Sequence, residues 1–178
     1  MAVQFSRQDK TRRPKPPLDQ AALRSLALFY AGRYATSEAK LAAYLRRKIT
    51  ERGWGEEAEP DIGGVVSRLA GLGYVDDCEF ARVKAAGLRR KGMGPGRIRT
   101  GLHAAGIARE TILSLSAMTP DEAVEAAHDF ALRKRFAQSD DPRERRRQFA
   151  AMSRAGHSYD AARAALSRLG ADDRTVTG

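Results

Sequence analysis

Apolar residues recur along this chain at helical spacing, and the spacing restarts after each cluster of glycine and polar residues. Leu23, Leu26, Ala27 and Tyr30 follow the i, i+3, i+4, i+7 rule and predict a helix over about 19–34. Leu41, Tyr44, Leu45 and Ile49 mark a second helix. Ser37 is placed to cap its start, Glu38 suits the macrodipole there, and Gly53 stops it. Pro60 and Asp61 open a third helix whose inward face is Ile62, Val65, Val66 and Leu69.

The pattern then begins again. Asp76 caps a helix expected to run to about Lys91, with Glu79 at capping-box spacing. Pro95 starts the next, lined by Ile98, Leu102 and Ala105 and ended by Gly106, and Ile112 and Leu115 mark a short third helix to about 117. A further round covers about 120–136, 142–155 and 158–169, with Tyr159, Ala162, Leu166 and Leu169 as its last buried stripe.

The stops after each second helix, Gly53, Gly106 and Gly156, lie about 50 residues apart, each four positions after an apolar residue (Ile49, Leu102, Met152). This order predicts an all-α fold of three tandem three-helix repeats over 18–74, 75–117 and 118–170. Each unit is too small to bury a generous core alone, so neighbours should stack into an elongated array. One residue disturbs the register: Gln148 stands eight before Gly156, where the earlier repeats place Leu45 and Ile98. Residues 1–17, with Arg12, Arg13, Lys15 and three prolines, read as a disordered basic tail, and 171–178 as a flexible C-terminal tail.

Composition agrees with folded helices: 42% hydrophobic residues, 30% charged and only 7% aromatic. No apolar run approaches the roughly 20 residues of a membrane span, and the polar N-terminus lacks a secretory core. The lone Cys78 excludes an internal disulfide, so a cytoplasmic protein is expected. The formal charge of +10 is what changes the picture. Phe80 to Arg109 holds eight Lys or Arg and no acid, whereas acids gather at Glu51, Glu56, Glu57, Glu59 and Asp61 and at Asp76, Asp77 and Glu79. That segregation predicts a surface facing an anionic partner rather than a merely solvated one.

Catalytic chemistry is not indicated. His103, His128 and His157 stand far apart with no metal spacing and suit surface or capping roles. Cys78 lies among acids that disfavour a thiolate, and no serine sits in a nucleophile elbow. Gly92-Met93-Gly94-Pro95-Gly96-Arg97 lacks the spacing of a phosphate-binding loop, and Pro95 removes one donor such a cradle would use. It reads instead as a turn that aims Arg97 and Arg99 at an anionic partner. Neither cofactor nor metal is expected.

Three stretches resemble the central signature of RecX regulatory proteins: Gly73-Tyr74-Val75-Asp76-Asp77 with Phe80-Ala81, Arg90-Lys91 through Arg97-Ile98-Arg99, and Leu102 with Gly106-Ile107. Ser37 through Lys48 to Gly53-Trp54 is similar to that family's first repeat, and Gly156-His157-Ser158-Tyr159-Asp160 resembles the end of its third. Cys78 and Gln148 are departures. The resemblance implies a curved row of three repeats docking in the groove of the RecA–DNA filament. It further implies restraint of RecA's strand exchange, ATPase and co-protease activities in DNA repair and the SOS response, with no enzymatic activity of its own. The partners implied are the RecA filament and, through phosphates, single- and double-stranded DNA, met by a monomer without membrane contact. The candidate RecA- or DNA-binding residues are Arg46, Arg47 and Lys48; Arg82, Lys84, Arg89, Arg90, Lys91, Arg97 and Arg99; and Arg145, Arg146 and Arg147.

The competing reading is a general nucleic-acid-binding protein of tandem helix-turn-helix type, whose basic second helices (Arg97 and Arg99; Arg145 to Arg147) would supply donors near a helix start. No Asn or Gln set accompanies those arginines, so phosphate contact fits this reading and base-specific recognition does not.

Overall fold

Leu18 anchors the chain at the point where the first helix begins: it is fully buried, and its backbone forms a single parallel bridge with Trp54. The computed structural model describes residues 15–175, and side chains to 169. The expected N-terminal tail therefore lies largely outside the described residues (1–14), whereas the expected C-terminal tail is corrected: 171–175 are helical and only 176–178 lie outside. Pro16 and Pro17, by contrast, are placed: the Arg52 guanidinium donates two hydrogen bonds to the Pro16 carbonyl at 2.9 and 3.0 Å.

Among the described residues the chain forms nine helices and no strand. The first trio is α1 (Gln20–Arg33), α2 (Glu38–Arg52) and α3 (Ile62–Gly71). The second is α4 (Asp77–Arg90), α5 (Pro95–His103) and α6 (Arg109–Ser116), and the third is α7 (Pro120–Arg133), α8 (Pro142–Arg154) and α9 (Tyr159–Thr175). Extensive helix–helix packing falls inside each trio. Each has its own core: Leu23, Leu41, Leu45 and Leu69 in the first, Ile98, Leu102 and Ile112 in the second, Phe130, Met152 and an alanine-rich α9 in the third. Burying one such large side chain stabilises by about 1.5–3 kcal/mol, so these few residues hold each unit. Val75 packs into the first core, just after α3.

Local chemistry sets the boundaries. Asp19, Ser37, Asp61, Asp76, Thr119 and Asp141 each accept a first-turn amide, a contribution of about 1 kcal/mol apiece. The reciprocal capping box forms at Thr119–Glu122; for α4, Asp76 caps Glu79 N while the Glu79 carboxylate turns to Arg82 at 3.5 Å. The α9 helix continues to Thr175, beyond the end expected at 169. Gln148 does not break the third register. It is 3% exposed, in the position of the fully buried Leu45 and Ile98, and its Nε2 donates to the Ala137 carbonyl at 3.0 Å.

The trios are joined by one repeated contact. Ser37, the cap of α2, donates its hydroxyl to the Ala105 carbonyl at 2.5 Å, just before the Gly106 stop of α5. Gly94, the cap of α5, donates its amide to the Ala155 carbonyl at 2.9 Å, just before the Gly156 stop of α8, and Gly96 N donates to Gly156 O at 3.0 Å. The starts of α2 and α5 thus dock on the glycine stop of the following repeat. At the first stop, Gly53, the carbonyl instead accepts the Leu18 amide at 2.9 Å.

Candidate binding surface

The glycine-rich turn before α5 is occupied by protein. Its amides at Gly94 and Gly96 bond the third repeat, and a Cβ on Gly92 would lie 3.3 Å from the Phe130 backbone. No donors remain there for a phosphate cradle. The turn instead fixes α5 rigidly between its neighbours, so Arg97 and Arg99 project from a held helix, both exposed.

His157 completes this junction, which corrects the expectation of a surface or capping histidine. It is 7% exposed, its Nε2 lies 2.9 Å from the Gly92 carbonyl and its ring packs against Phe130. Burial pushes its pKa below the usual histidine value, and the hydrogen bond to Gly92 only partly opposes this. A neutral ring donating from Nε2 accounts for the geometry.

The candidate basic residues divide by what they touch. Arg47 and Lys48 both pair with Glu51, at 3.1 and 2.5 Å. The Lys48 hydrogen bond in particular holds the Glu51 carboxyl below the ordinary range. Arg147 grips Glu144 with two hydrogen bonds at 2.7 and 2.8 Å, which lowers the Glu144 pKa and raises that of Arg147. Arg146 folds back on the Pro142 carbonyl at 3.1 Å. Lys84 lies over the Phe80 ring, 5.8 Å from its centre.

Arg82 and Arg89 are less available than the acid-free run suggests. Arg82 pairs with Glu79, just outside that run, and Arg89 donates to the Leu115 carbonyl at 2.6 Å, tying α4 to the end of α6. Among the described residues, the side chains of Arg46, Arg90, Lys91, Arg97, Arg99 and Arg145 enter no ion pair. These six are spread over three repeats and keep their charge for an external anion.

Arg99 has the most connected position. It lines a cleft of 680 Å³ between α5 and α6 together with His103 and Arg109, and it also borders the junction cleft beside Ser153, His157 and Ser158. Arg99 and Arg109 therefore line one cleft, although Arg109 is not among the candidate residues named above. Only the packing of α6 on α5 brings them together. Among the described residues no three His, Cys, Asp or Glu side chains group as metal ligands, and no helix is long and apolar enough to cross a membrane.

The central trio matches a family model described as RecX, second three-helix domain, over residues 76–113. The chain is also 32% identical over 171 residues to the regulatory protein RecX of Myxococcus xanthus (strain DK1622), covering 86% of this chain and 90% of that one. The chain belongs to the RecX family. Two solved structures share its fold. A crystal structure of regulatory protein RecX superposes with a TM-score of 0.64 at 22% identity, over 83% of this chain and 71% of that one. RecX from Lactobacillus salivarius gives 0.59 at 18% identity, over 84% and 95%. Three tandem three-helix repeats are thus this family member's architecture, and the family-model match spans α4, α5 and most of α6.

Proposed function

We propose that this chain binds the RecA–DNA filament and restrains RecA, lowering its ATPase, strand-exchange and co-protease activities, as a monomeric cytoplasmic regulator with no enzymatic activity of its own. The observation that carries this reading is the similarity to a regulatory protein RecX along nearly the whole of both chains, not in one repeat alone. The unpaired arginines of α5 support it. A rigid row of repeats presenting charges that no internal carboxylate neutralises suits a long anionic groove better than a small ligand.

RecA's ATPase on single-stranded DNA, measured with and without substoichiometric protein, tests the reading. Turnover should fall as the protein is added, while the protein alone hydrolyses no ATP. Unchanged turnover across a wide titration at moderate salt would overturn it.

A further inference from the structure

The third repeat carries a cleft of 410 Å³ between the loop before α8, α8 itself and the first half of α9. The Tyr159 ring lies on Phe149, centres 5.2 Å apart and planes within 18°, yet Tyr159 is 67% exposed. Arg145 of α8 and Arg163 of α9 line the same cleft, and among the described residues neither side chain enters an ion pair. The wall opposite is polar, with Gln138, Ser139 and Asp140, and is pinned by the Gln148 bond to Ala137.

We propose that this cleft binds single-stranded nucleic acid, with one base stacked on Tyr159 and the flanking phosphates held by Arg145 and Arg163. An exposed aromatic face already rigidified by a stacked neighbour loses little freedom when a base lands on it. Two unneutralised guanidiniums within the same cleft match the charge of a sugar–phosphate backbone. The Asp140 carboxylate opposes a phosphate beside it but accepts a hydrogen bond from an exocyclic amine, so it belongs at the base edge. A base inside a duplex has both faces covered and cannot use the tyrosine. The proposal concerns binding by the free protein and does not depend on contact with RecA.

Fluorescence anisotropy with labelled oligonucleotides of about 12 residues, within the usual site size, tests it without RecA present. Tyr159→Phe should bind single-stranded DNA like the parent protein. Tyr159→Leu should lose about tenfold in affinity, the loss of one base stack, with duplex affinity little changed. Arg163→Gln should weaken binding and reduce the salt slope by about one. An RNA oligonucleotide run in parallel separates the two sources of a stacked base. Equal losses for duplex and single strand, or none for either, would overturn the proposal. So would displacement of the oligonucleotide by polyglutamate with no effect of the tyrosine substitution, which would assign the cleft to an acidic protein segment. If the leucine variant does not fold, photo-cross-linking of the parent protein to a 5-iododeoxyuridine oligonucleotide decides. A cross-link at Tyr159 supports the stack, and cross-links confined to other repeats refute it.

Discussion

A Cβ built on Gly156 would stand 2.1 Å from the Arg97 amide nitrogen, so the second and third repeats meet backbone to backbone with no space for a side chain. The contact one repeat earlier is similarly close but meets a small side chain: a Cβ on Gly106 would lie 2.3 Å from the Ala39 Cβ. The start of the approaching helix carries Ser37 and Ala39 in one case and Gly94 and Gly96 in the other, small residues throughout. The α8 start carries Asp141 and Arg143 at those positions, and a side chain as large as arginine does not fit the same contact.

Gly156→Ala should therefore cost about 3 kcal/mol or more, because it combines an overpacked junction with a left-handed backbone at φ +89°. Gly73 is the control. It has φ +76° but no atom within 4 Å of its built Cβ, so Gly73→Ala should cost only about 1–2 kcal/mol. Urea unfolding of both variants checks the order. Equal losses would mean that backbone conformation, not the close approach, makes Gly156 necessary.

The arginines of the middle repeat should separate into two kinds. Arg89→Gln removes the bond from the guanidinium to the carbonyl end of α6 and should lower stability by about 1 kcal/mol. Arg97→Gln and Arg99→Gln, at exposed positions, should each change stability by less than about 0.5 kcal/mol. The paired substitution at 97 and 99 should instead weaken binding to the RecA–DNA filament. A steep loss of parent affinity with salt that flattens in the double variant indicates phosphate contact; a shallow dependence places these arginines against protein. A normally folded double variant that still inhibits RecA at the same concentration and salt would show them to be surface decoration.

His157 should make the junction acid-sensitive. Its folded pKa is lowered, so the unfolded chain takes up the proton first as pH falls. Its contribution is fully present above about pH 6.5, the unfolded value, and is lost as pH falls from there through the lowered folded pKa. Between pH 7.5 and 5, melting temperature should fall more in the parent than in His157→Gln, which is neutral throughout. An NMR titration in which His157 takes up its proton at or above about pH 6.5 would contradict this.

Much of this fold is legible in the sequence because helix caps and stops are local chemistry. Asp19, Ser37, Asp61 and Thr119 each act within three residues of themselves, and Gly53, Gly106 and Gly156 mark the same place in every repeat. The junctions are not local. Ser37 meets Ala105 across 68 residues and His157 meets Gly92 across 65, so a polar turn histidine gave no sign of burial. The candidate surface was legible as charge but not as availability. Glu79 lies one residue before the acid-free run and still reaches Arg82, and Arg89 is taken by a carbonyl 26 residues away. Arg163, four residues after Tyr159, needed the packing of α9 on α8 to bring it beside Arg145.

Gln148 is where local polarity and global register conflict, and its replacement should separate stability from loop order. Gln148→Leu restores the apolar character that Leu45 and Ile98 have in the other repeats, adding buried apolar surface to the third core. It also removes the donors to the Ala137 carbonyl at 3.0 Å and to the Glu144 carboxylate at 3.1 Å. Neither acceptor is stranded. Ala137 is exposed, so water can replace the lost donor, and Glu144 keeps both hydrogen bonds from Arg147. The two effects oppose each other, and overall stability should change by less than about 1 kcal/mol. The loop over residues 137–141 loses its tether, so its amide hydrogens should exchange faster while those of α7 and α9 stay protected. Hydrogen exchange read by mass spectrometry, set beside a urea melt, checks both halves. A stability loss above about 2 kcal/mol would show that the glutamine holds the repeat together rather than merely its loop.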